Sequence, residues 1–540
     1  MPAPRLRPLL SATVGAALCA TGCFNNDQQI VPPAREFNYP TTLTVSPGGT
    51  VLYVANSDFD LQFSGGTMQV LDLGTCGPGT RGCMRTDALA LRDALEGATQ
   101  GEASVCGDFG LGTNDNPVLL PGPCRSFPAS PYIKQFATIG AFASSATLAI
   151  EPDADGALTG RARLLLTVRG DPSVTFFDVV NDGSAESLSQ PVGSGACTGP
   201  FCLECQAQGD TRRCGPQHRV GENASLTTRG IVLPVEPVGI AASDDARVVV
   251  VAHQTSSQAS LLVNAWSGAP ELEFPLAGLP PGPTEVARLP TPGIARALAG
   301  SFDYGASFLI TFREAPEVDL VRFNSDSGSS PSRPFLTQAS RASISVNSDG
   351  GDSRGAAVDG SARAACEATC SAGQSSCLVA CAEDFPLRAF IANRAPPSLL
   401  IGEIRTQVVL DGDTPVGAVD SVRVFQNIPL SFGASRVHIG HVLDEQGQKQ
   451  LRVFVVSFDA REIVSYDPEA RRVESLIHTG RGPHALATDT REGDEGYSLL
   501  YVGHFSDSFL GVVDLDMRHP KTFGQMFAAV GVPNPPPEMN

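Results

Sequence analysis

The hydrophobic pattern along this chain is a series of short apolar runs separated by turns. Near-continuous apolar runs of about five residues are typical of strands that are packed on both faces of a sheet. No long amphipathic helical segment lies between them, so the pattern predicts an all-β protein. The pattern occurs seven times, and its central runs are 51–56, 164–168, 248–253, 308–312, 389–393, 453–457 and 499–504.

Seven repeated units of strand and turn predict one β-propeller of seven blades, because each blade of a propeller packs against two neighbouring blades. The propeller is assigned to residues 41–530, followed by a C-terminal tail at 531–540. The units are longer than the ~40–45 residues of compact blades, and the excess lies in three cysteine-rich insertions at 74–131, 193–230 and 348–386. The alternative is two β domains, a smaller propeller and a sandwich, although no segment has the composition of a linker between them.

The first and last copies carry sequence phrases that identify a possible family. Val51–Asn56 is followed by Val70–Leu73, and Gly482–His484 is followed by Tyr501–His504 and Val513–Leu515. These phrases resemble the YVTN-type β-propeller repeat, which pairs a glycine- and proline-containing start with a Tyr-Val-x-Asn strand and an Ile/Val-Asp strand end. The middle copies are degenerate. The resemblance implies a propeller similar to those of lactonases and some periplasmic dehydrogenases, whose sites surround the central channel.

The N-terminus is predicted to be a lipoprotein signal peptide that covers residues 1–22. Two arginines precede an uncharged apolar run at 9–20, which is too short to span a bilayer. The motif Ala20–Cys23 resembles the bacterial lipobox, so Cys23 is the expected lipidation site and 23–40 the lipidated cysteine with its tether. The alternative is an ordinary secretory signal that is cut near Gly22.

Lipidation implies an exported protein that is attached to a membrane of the cell envelope. Phe24 follows the modified cysteine, and by the enterobacterial sorting rule this indicates the outer membrane, facing either the periplasm or the cell surface. The 38 basic and 57 acidic residues give a net charge of −19. Such a surface repels phosphate backbones, so no nucleic-acid partner is expected, and attachment to the membrane is expected through the lipid anchor.

The cysteines support export. Of the 14 cysteines, one lies in the signal peptide and one is the predicted anchor. The other twelve form three clusters of four, and even local counts are what disulfide pairs within each cluster require. A zinc site is the alternative, especially at the Cys-x-x-Cys of the second cluster, but disulfides are favoured in an oxidising compartment. The candidates are Cys76, Cys83, Cys106, Cys124, Cys197, Cys202, Cys205, Cys214, Cys366, Cys370, Cys377 and Cys381.

In the third cluster the cysteines are spaced as i and i+4 within two short Ala/Ser/Glu-rich segments. This spacing places both cysteines of a segment on one face of a helical turn. The cluster therefore predicts a small disulfide-bonded α-hairpin.

The candidate ligand-binding face is the end of the propeller where second and third strands meet. In a propeller these turns lie beside the beginnings of the innermost strands, so polar residues at both places are expected to line a funnel. The alternative for each residue is a structural role, in which the side chain caps a strand end. No metal is expected, because two imidazoles without a set of carboxylates are a poor metal-ligand set, and no cofactor is expected. The candidates are His253, Arg313, Asn393, Arg394, His484 and His504.

Three functional hypotheses follow, and the sequence leaves all three open. The first is a lipoprotein that presents a propeller as a binding scaffold for an unknown protein or envelope ligand, as a monomer. The second is an enzyme at the channel face, as the resemblance to lactonases and dehydrogenases implies. The third is a structural or adhesive surface protein. The chain has no zinc-protease helix motif, nucleophile elbow, phosphate-binding loop or haem-attachment motif, which favours the non-enzymatic hypothesis.

Overall fold

The structure is a computed structural model that describes residues 30–76, 80–99, 102–152, 158–184, 188, 197–209, 211–326, 328–345, 351–371 and 373–534. The predicted signal peptide, the predicted lipidation site Cys23 and the first part of the tether lie outside the described residues. So do the last six residues of the predicted tail, 535–540. Among the described helices, none has the length and apolar character needed to cross a membrane.

In the described residues, twenty-eight strands form seven sheets of four strands each. Blade 1 contains β1 (Pro40–Val45), β2 (Val51–Asn56), β3 (Thr67–Asp72) and β4 (Ile133–Thr138). Blade 2 contains β5 (Ala143–Pro152), β6 (Leu158–Val168), β7 (Ser173–Val180) and β8 (Arg219–Val220). Blade 3 contains β9 (Pro237–Ala242), β10 (Val248–His253), β11 (Gln258–Val263) and β12 (Glu271–Leu276). Blade 4 contains β13 (Pro283–Arg288), β14 (Ser307–Phe312), β15 (Glu317–Asn324) and β16 (Phe335–Ser343).

The remaining three blades follow the same order. Blade 5 contains β17 (Ser353–Asp359), β18 (Leu387–Arg394), β19 (Pro397–Asp411) and β20 (Thr414–Pro429). Blade 6 contains β21 (Ala434–Leu443), β22 (Lys449–Ser457), β23 (Glu462–Asp467) and β24 (Arg472–His478). Blade 7 contains β25 (Pro483–Arg491), β26 (Tyr497–His504), β27 (Phe509–Asp514) and β28 (Met526–Val530).

The blades form a closed ring. Within each blade the strands pair antiparallel in chain order, and the first strand of every blade contacts the first strands of its two neighbours. These first strands are therefore innermost, and β25 of the last blade lies against β1 of the first. The prediction of a single seven-bladed propeller is confirmed, and two separate β domains are excluded.

Burial explains why the apolar runs show little alternation. Every residue of β2, β3, β7, β10 and β14 is buried, because each blade has a neighbour on both faces. The apolar clusters lie between adjacent blades: Tyr53 of blade 1 packs with Phe177 of blade 2, and Phe390 of blade 5 packs with Tyr466 of blade 6.

The helices lie in the connections between strands. Helices α1 (Met84–Gly97) and α2 (Glu102–Asp108) lie between β3 and β4, and α3 (Gly293–Ala297) lies between β13 and β14. Helices α4 (Ser361–Glu367) and α5 (Ser375–Asp384) lie between β17 and β18 and form the predicted disulfide-bonded hairpin. The range 348–386, which the sequence analysis assigns to an insertion, includes the innermost strand β17. The connection that carries the hairpin begins after that strand.

All twelve candidate cysteines form disulfides within their own clusters, which confirms the sequence prediction over the zinc alternative. The first and second clusters each contain two bonds between cysteines that are close in the chain, and the third joins α4 to α5 twice. The bonds are Cys76–Cys83, Cys106–Cys124, Cys197–Cys202, Cys205–Cys214, Cys366–Cys381 and Cys370–Cys377.

The two ends of the ring differ. Turns between second and third strands, and connections from one blade to the next, lie at one end, which we call the mouth face. Turns between first and second strands, and between third and fourth strands, lie at the other end, the far face. All six disulfides occur in connections of the far face, because they follow β3, β7 or β17.

The first insertion also joins the two ends of the chain. Phe127 donates its backbone N–H to Ala529 (2.8 Å) and accepts one from Gly531 (2.8 Å), so the insertion runs beside β28 of blade 7. At the C-terminal end of α1, the Glu96 carboxylate accepts backbone N–H groups from Lys521 and Thr522, both at 2.8 Å. Blades 1 and 7 are separate sheets, and the insertion adds hydrogen bonds to the direct packing of blade 7 on blade 1.

Candidate functional site

At the mouth face, one backbone hydrogen bond recurs in all seven blades. At the end of each second strand, one residue donates its backbone N–H to the residue just before the innermost strand; Arg313 donates to Gly282 (2.7 Å) and Phe505 to Gly482 (2.8 Å). The donor follows the strand in six blades and is its last residue in blade 5. Gly482 has a φ of +64°, and a Cβ there would lie 2.8 Å from the Ser506 nitrogen, so glycine is required. The seven donors, which we call the strand-end residues, are Ser57, Arg169, Gln254, Arg313, Arg394, Phe458 and Phe505.

A second ring of seven residues comes from the innermost strands. Each innermost strand has an irregular register at or just after its second residue, and such bulges redirect a side chain away from the sheet pattern. We call these second residues the bulge residues: Thr41, Ser144, Val238, Thr284, Arg354, Ser435 and His484. Both rings line a cavity of about 280 Å³ at the mouth of the central channel.

The chemistry of the mouth is unevenly distributed around the ring. Arginines come from blades 2, 4, 5 and 6, and aromatic rings come from blades 6, 7 and 1 and from the connection between blades 1 and 2. Cations and aromatic faces therefore share one cavity in a protein whose net charge is −19. The arginines and phenylalanines that line it are Arg169, Arg313, Arg354, Arg394, Arg436, Phe59, Phe142, Phe458 and Phe505.

Two of the arginines share one carboxylate. Arg354 makes a bidentate pair with Asp352, with N–O distances of 2.8 and 2.9 Å, while the nearest nitrogen of Arg313 lies 4.0 Å from the same carboxylate. The side chain of Arg313 is 41% exposed. Its guanidinium therefore keeps donors free for a ligand in the cavity. Arg394, by contrast, pairs with Asp459 at 2.6 Å.

The mouth continues into a deeper section of the channel of about 560 Å³. Arg436 lines both sections and forms an ion pair with Glu285 across them. Burial raises the pKa of Glu285, and the guanidinium of Arg436 opposes that shift. Below this pair, the Nε2 of His438 lies 3.0 Å from the hydroxyl of Thr488, and burial lowers the pKa of His438 to about 4.

The aromatic side of the mouth is a connected cluster of rings. Phe59 lies 5.1 Å from Phe505 and 5.6 Å from Phe142 between ring centroids, and it is 50% exposed. His484 lies 5.9 Å from Phe505. Burial and, to a smaller extent, the charge of Arg436 lower the pKa of His484 to about 3. Its imidazole is therefore neutral at physiological pH and is a poor general base there.

Three of the six predicted site residues line the mouth, namely Arg313, Arg394 and His484. The other three were assigned to the wrong environment. His253 and His504 have no exposed surface; the Nε2 of His253 lies 2.8 Å from the Ser260 hydroxyl, and His504 stacks on Phe509 with centroids 4.0 Å apart.

Asn393 has the structural role that the sequence left as the alternative. Its Oδ1 accepts the backbone N–H of Asp352 (3.0 Å), and its amide donates to the carbonyl of Pro396 (2.8 Å). His253 and His504 are each the last residue of a second strand, and Asn393 is the next-to-last residue of β18. Successive side chains of a strand point to opposite sides, so these three point into the blade and the next residue points into the mouth.

Several mouth residues were not predicted. Gln254 and Phe505 directly follow the two histidines that were chosen, and Phe458 is at the same position in blade 6. A comparison of the residue after each second strand across the seven copies would have identified them. The bulge residue Arg354 and Arg436 had no comparable signal, because the bulges cannot be recognised in the apolar pattern.

Comparisons with known proteins support no assignment to a family. No protein-family model matches the chain, and no curated protein matches it. The resemblance to the YVTN-type repeat therefore stays a prediction.

Solved structures of other proteins do resemble it in fold. Hydrazine synthase of Kuenenia stuttgartiensis is 9% identical with a TM-score of 0.42, over 91% of this chain and 99% of that one. The periplasmic gluconolactonase PpgL of Pseudomonas aeruginosa is 11% identical with a TM-score of 0.37, over 82% and 86%. AztD of Citrobacter koseri is 11% identical with a TM-score of 0.31, over 83% and 88%. At these values no ligand or activity is transferred to this chain.

Proposed function

We propose that this protein is an envelope-anchored binding protein, attached through a lipid on Cys23, whose channel mouth binds an anionic ligand with an aromatic or flat apolar part. The observation that carries the proposal is the shared cavity of arginine and phenylalanine side chains at the mouth. The seven-bladed ring supports this cavity, because the seven strand-end residues and the seven bulge residues form two circles of side chains around it.

The two sides of the mouth suit the two parts of such a ligand. Arg313 has free donors in a planar arrangement that matches carboxylate, sulfonate or phosphate oxygens. The edges and faces of Phe59 and Phe505 are available to an aromatic ring, and aromatic pairs prefer tilted or offset contacts at 4.5–7 Å. Phe59 is half exposed, so a bound ligand would bury apolar surface there.

The ligand class can be tested with a matched pair of fluorescent probes. Anilinonaphthalene sulfonate carries a sulfonate on an aromatic frame, and phenylnaphthylamine has the same frame without the charge. We expect the sulfonate to bind at one site and the neutral probe to bind more weakly, with the sulfonate's affinity falling as salt is added. Equal affinity for both probes would argue against the arginine side of the site.

A variant of Arg313 locates that site. We expect Arg313→Gln to raise the Kd for the sulfonate probe roughly ten-fold, because a charge-assisted hydrogen bond contributes ~1.5–3 kcal/mol. Arg405→Gln is the matched control: its side chain is 65% exposed on blade 5 and lies outside the mouth. If both variants bind the probe as the wild type does, the mouth is not the binding site.

The anchor is tested separately by mass spectrometry of the protein isolated from its native membrane. We expect the mature N-terminus to be Cys23 with the added mass of acyl chains. A free thiol at Cys23, or cleavage elsewhere, would contradict the anchorage while leaving the probe experiment intact.

A further inference from the structure

We infer that the mouth face lies against the phospholipid surface of the membrane. The inference rests on the proposed anchorage at Cys23 and goes beyond it, because an anchor alone does not fix which side of the ring faces the bilayer. Two observations carry it: the place where the described chain begins, and the distribution of exposed apolar side chains.

The described chain begins at the mouth face. The carbonyl of Ile30 accepts the backbone N–H of Ser64 at 2.9 Å, and Ser64 lies in the turn between β2 and β3. Cys23 precedes Ile30 by seven residues, and seven residues reach at most ~25 Å when fully extended. The mouth face of blade 1 is therefore within that distance of any lipid on Cys23.

A tether of this length does not bring the far face to the membrane. Strand β25 has nine residues, and nine residues of strand span ~30 Å. The far face extends beyond the strands, since it carries α1 to α5 and the disulfide-bonded insertions. The anchor leaves two orientations, with either the mouth face or the outer edge of blade 1 against the bilayer.

The exposed apolar side chains distinguish these two orientations. Phe59 (50% exposed) belongs to blade 1, Val235 (54%) directly precedes blade 3, Phe432 (75%) directly precedes blade 6, and Val532 (75%) follows blade 7. Hydrogen bonds join two of these sites to mouth-face turns: the carbonyl of Phe432 accepts the N–H of Ala460, and Asn534, two residues after Val532, donates to Asp507.

Three of these residues belong to the adjacent blades 6, 7 and 1 and the fourth precedes blade 3, so they lie on both sides of the mouth. Separated apolar side chains suit insertion into a fluid interface, where each ring or branched chain enters between headgroups. Arg313, whose donors are free, lies between them and would contact lipid phosphates. A zwitterionic lipid surface has no net charge, so the protein's net charge of −19 does not oppose this contact.

The test uses the intact lipidated protein in phosphatidylcholine vesicles whose acyl chains carry bromine, a short-range quencher of tryptophan fluorescence. The chain has one tryptophan, Trp266, in the turn between β11 and β12 at the far face. We expect wild-type emission to be the same in brominated and ordinary vesicles. In a Trp266→Phe background, Phe432→Trp and Val235→Trp should each lose roughly half or more of their emission, as for a side chain ~5–10 Å into the interface.

Phe385→Trp in the same background is the matched control, because Phe385 is 40% exposed at the far face, between α5 and β18. We expect no quenching there. Quenching of Phe385→Trp, absence of quenching in both mouth-face variants, or failure of the protein to float with the vesicles would each overturn the inference. Probe binding in detergent reports on the proposed ligand site independently, so a quenching failure with intact probe binding removes only the orientation.

Discussion

Buried neutral histidines make the stability of this protein depend on pH. Burial lowers the pKa of His253 to about 4 and that of His504 to about 3, against an ordinary value of 6.5. Below that ordinary value the unfolded chain takes up a proton that the folded chain refuses, so folding stability falls as the pH falls from about 6.5 toward these folded pKa values. Both histidines lie at the end of a second strand, within the blade.

We predict that His504→Asn reduces this loss of stability. Asparagine occupies the matching position in blades 1 and 5, as Asn56 and Asn393, so the substitution suits the strand end. Between about pH 7 and about pH 5.5, the free energy of unfolding should fall by about 1 kcal/mol less in the variant than in the wild type. Urea titrations at the two pH values measure this difference, and equal losses would contradict the assigned pKa.

At the residue scale, the sequence was sufficient to predict where the second strands end. It was not sufficient to predict which side chains at those ends face the channel. His504 is the last residue of the second strand in blade 7, and Arg313 is the first residue after the second strand in blade 4. The two positions therefore differ by one residue within the repeat. Which of the two neighbours faces the channel depends on where the strand ladder ends and on the bulge in the innermost strand. Neither is determined by apolar periodicity in strands that are buried on both faces.

Among the elements, blades 2 and 3 are joined by a buried arginine. Arg163 of β6 is 2% exposed; it bonds to Asp178 of β7 at 2.9 Å and, in the turn between β11 and β12, to Asn264 at 2.6 Å and the Gly268 carbonyl at 3.0 Å. Its guanidinium also lies 5.1 Å from the Trp266 ring centroid. Burial lowers the pKa of Arg163, and the charge of Asp178 opposes that shift.

We predict that Arg163→Ala lowers the free energy of unfolding by ~3–5 kcal/mol, because it leaves the carboxylate of Asp178 buried without its partner. Replacement of both members, with Arg163→Met and Asp178→Leu, should recover much of the loss. Arg405→Ala, which breaks an exposed pair, should cost less than ~1 kcal/mol. Thermal and urea denaturation of the four proteins check the prediction, which fails if the double variant is less stable than Arg163→Ala.

The second strands were predictable because burial on both faces leaves short, uninterrupted apolar runs, and the α-hairpin was predictable from the i, i+4 spacing of its cysteines. The innermost strand β17 was hidden within a predicted insertion. Its sequence, Ser353–Asp359, has small residues at its centre between Arg354 and Asp359, so a search for apolar runs does not find it.

For the whole molecule, the first insertion reinforces the closure of the ring, in which blade 7 already packs on blade 1. Cys106 and Cys124 are buried in a cluster that contains Leu52 of blade 1 and Val512 of blade 7. Within the described residues no exchanged strand joins these blades, and the insertion adds a packed and hydrogen-bonded connection between the two ends of the propeller. This arrangement could not be predicted from the sequence, because contacts between residues about 400 positions apart leave no local pattern.

We predict that the Cys106→Ala, Cys124→Ala double variant destabilises the whole ring by ~3 kcal/mol, the value for a disulfide that closes a loop of this size. Hydrogen exchange in β25–β28 should accelerate. The matched control, Cys370→Ala with Cys377→Ala, removes a disulfide within the far-face hairpin and should leave exchange in blade 7 unchanged. Equal effects of the two double variants on blade 7 would show that closure does not depend on the insertion.

The recurring mouth hydrogen bond has a consequence for how such a protein diversifies. Each strand-end residue contributes to the fold through its backbone N–H, which every amino acid except proline provides, while its side chain extends over the channel. Seven positions can therefore be exchanged one at a time without disturbing the scaffold. Ligand preference can therefore change through substitutions at these positions while the backbone of the propeller stays the same.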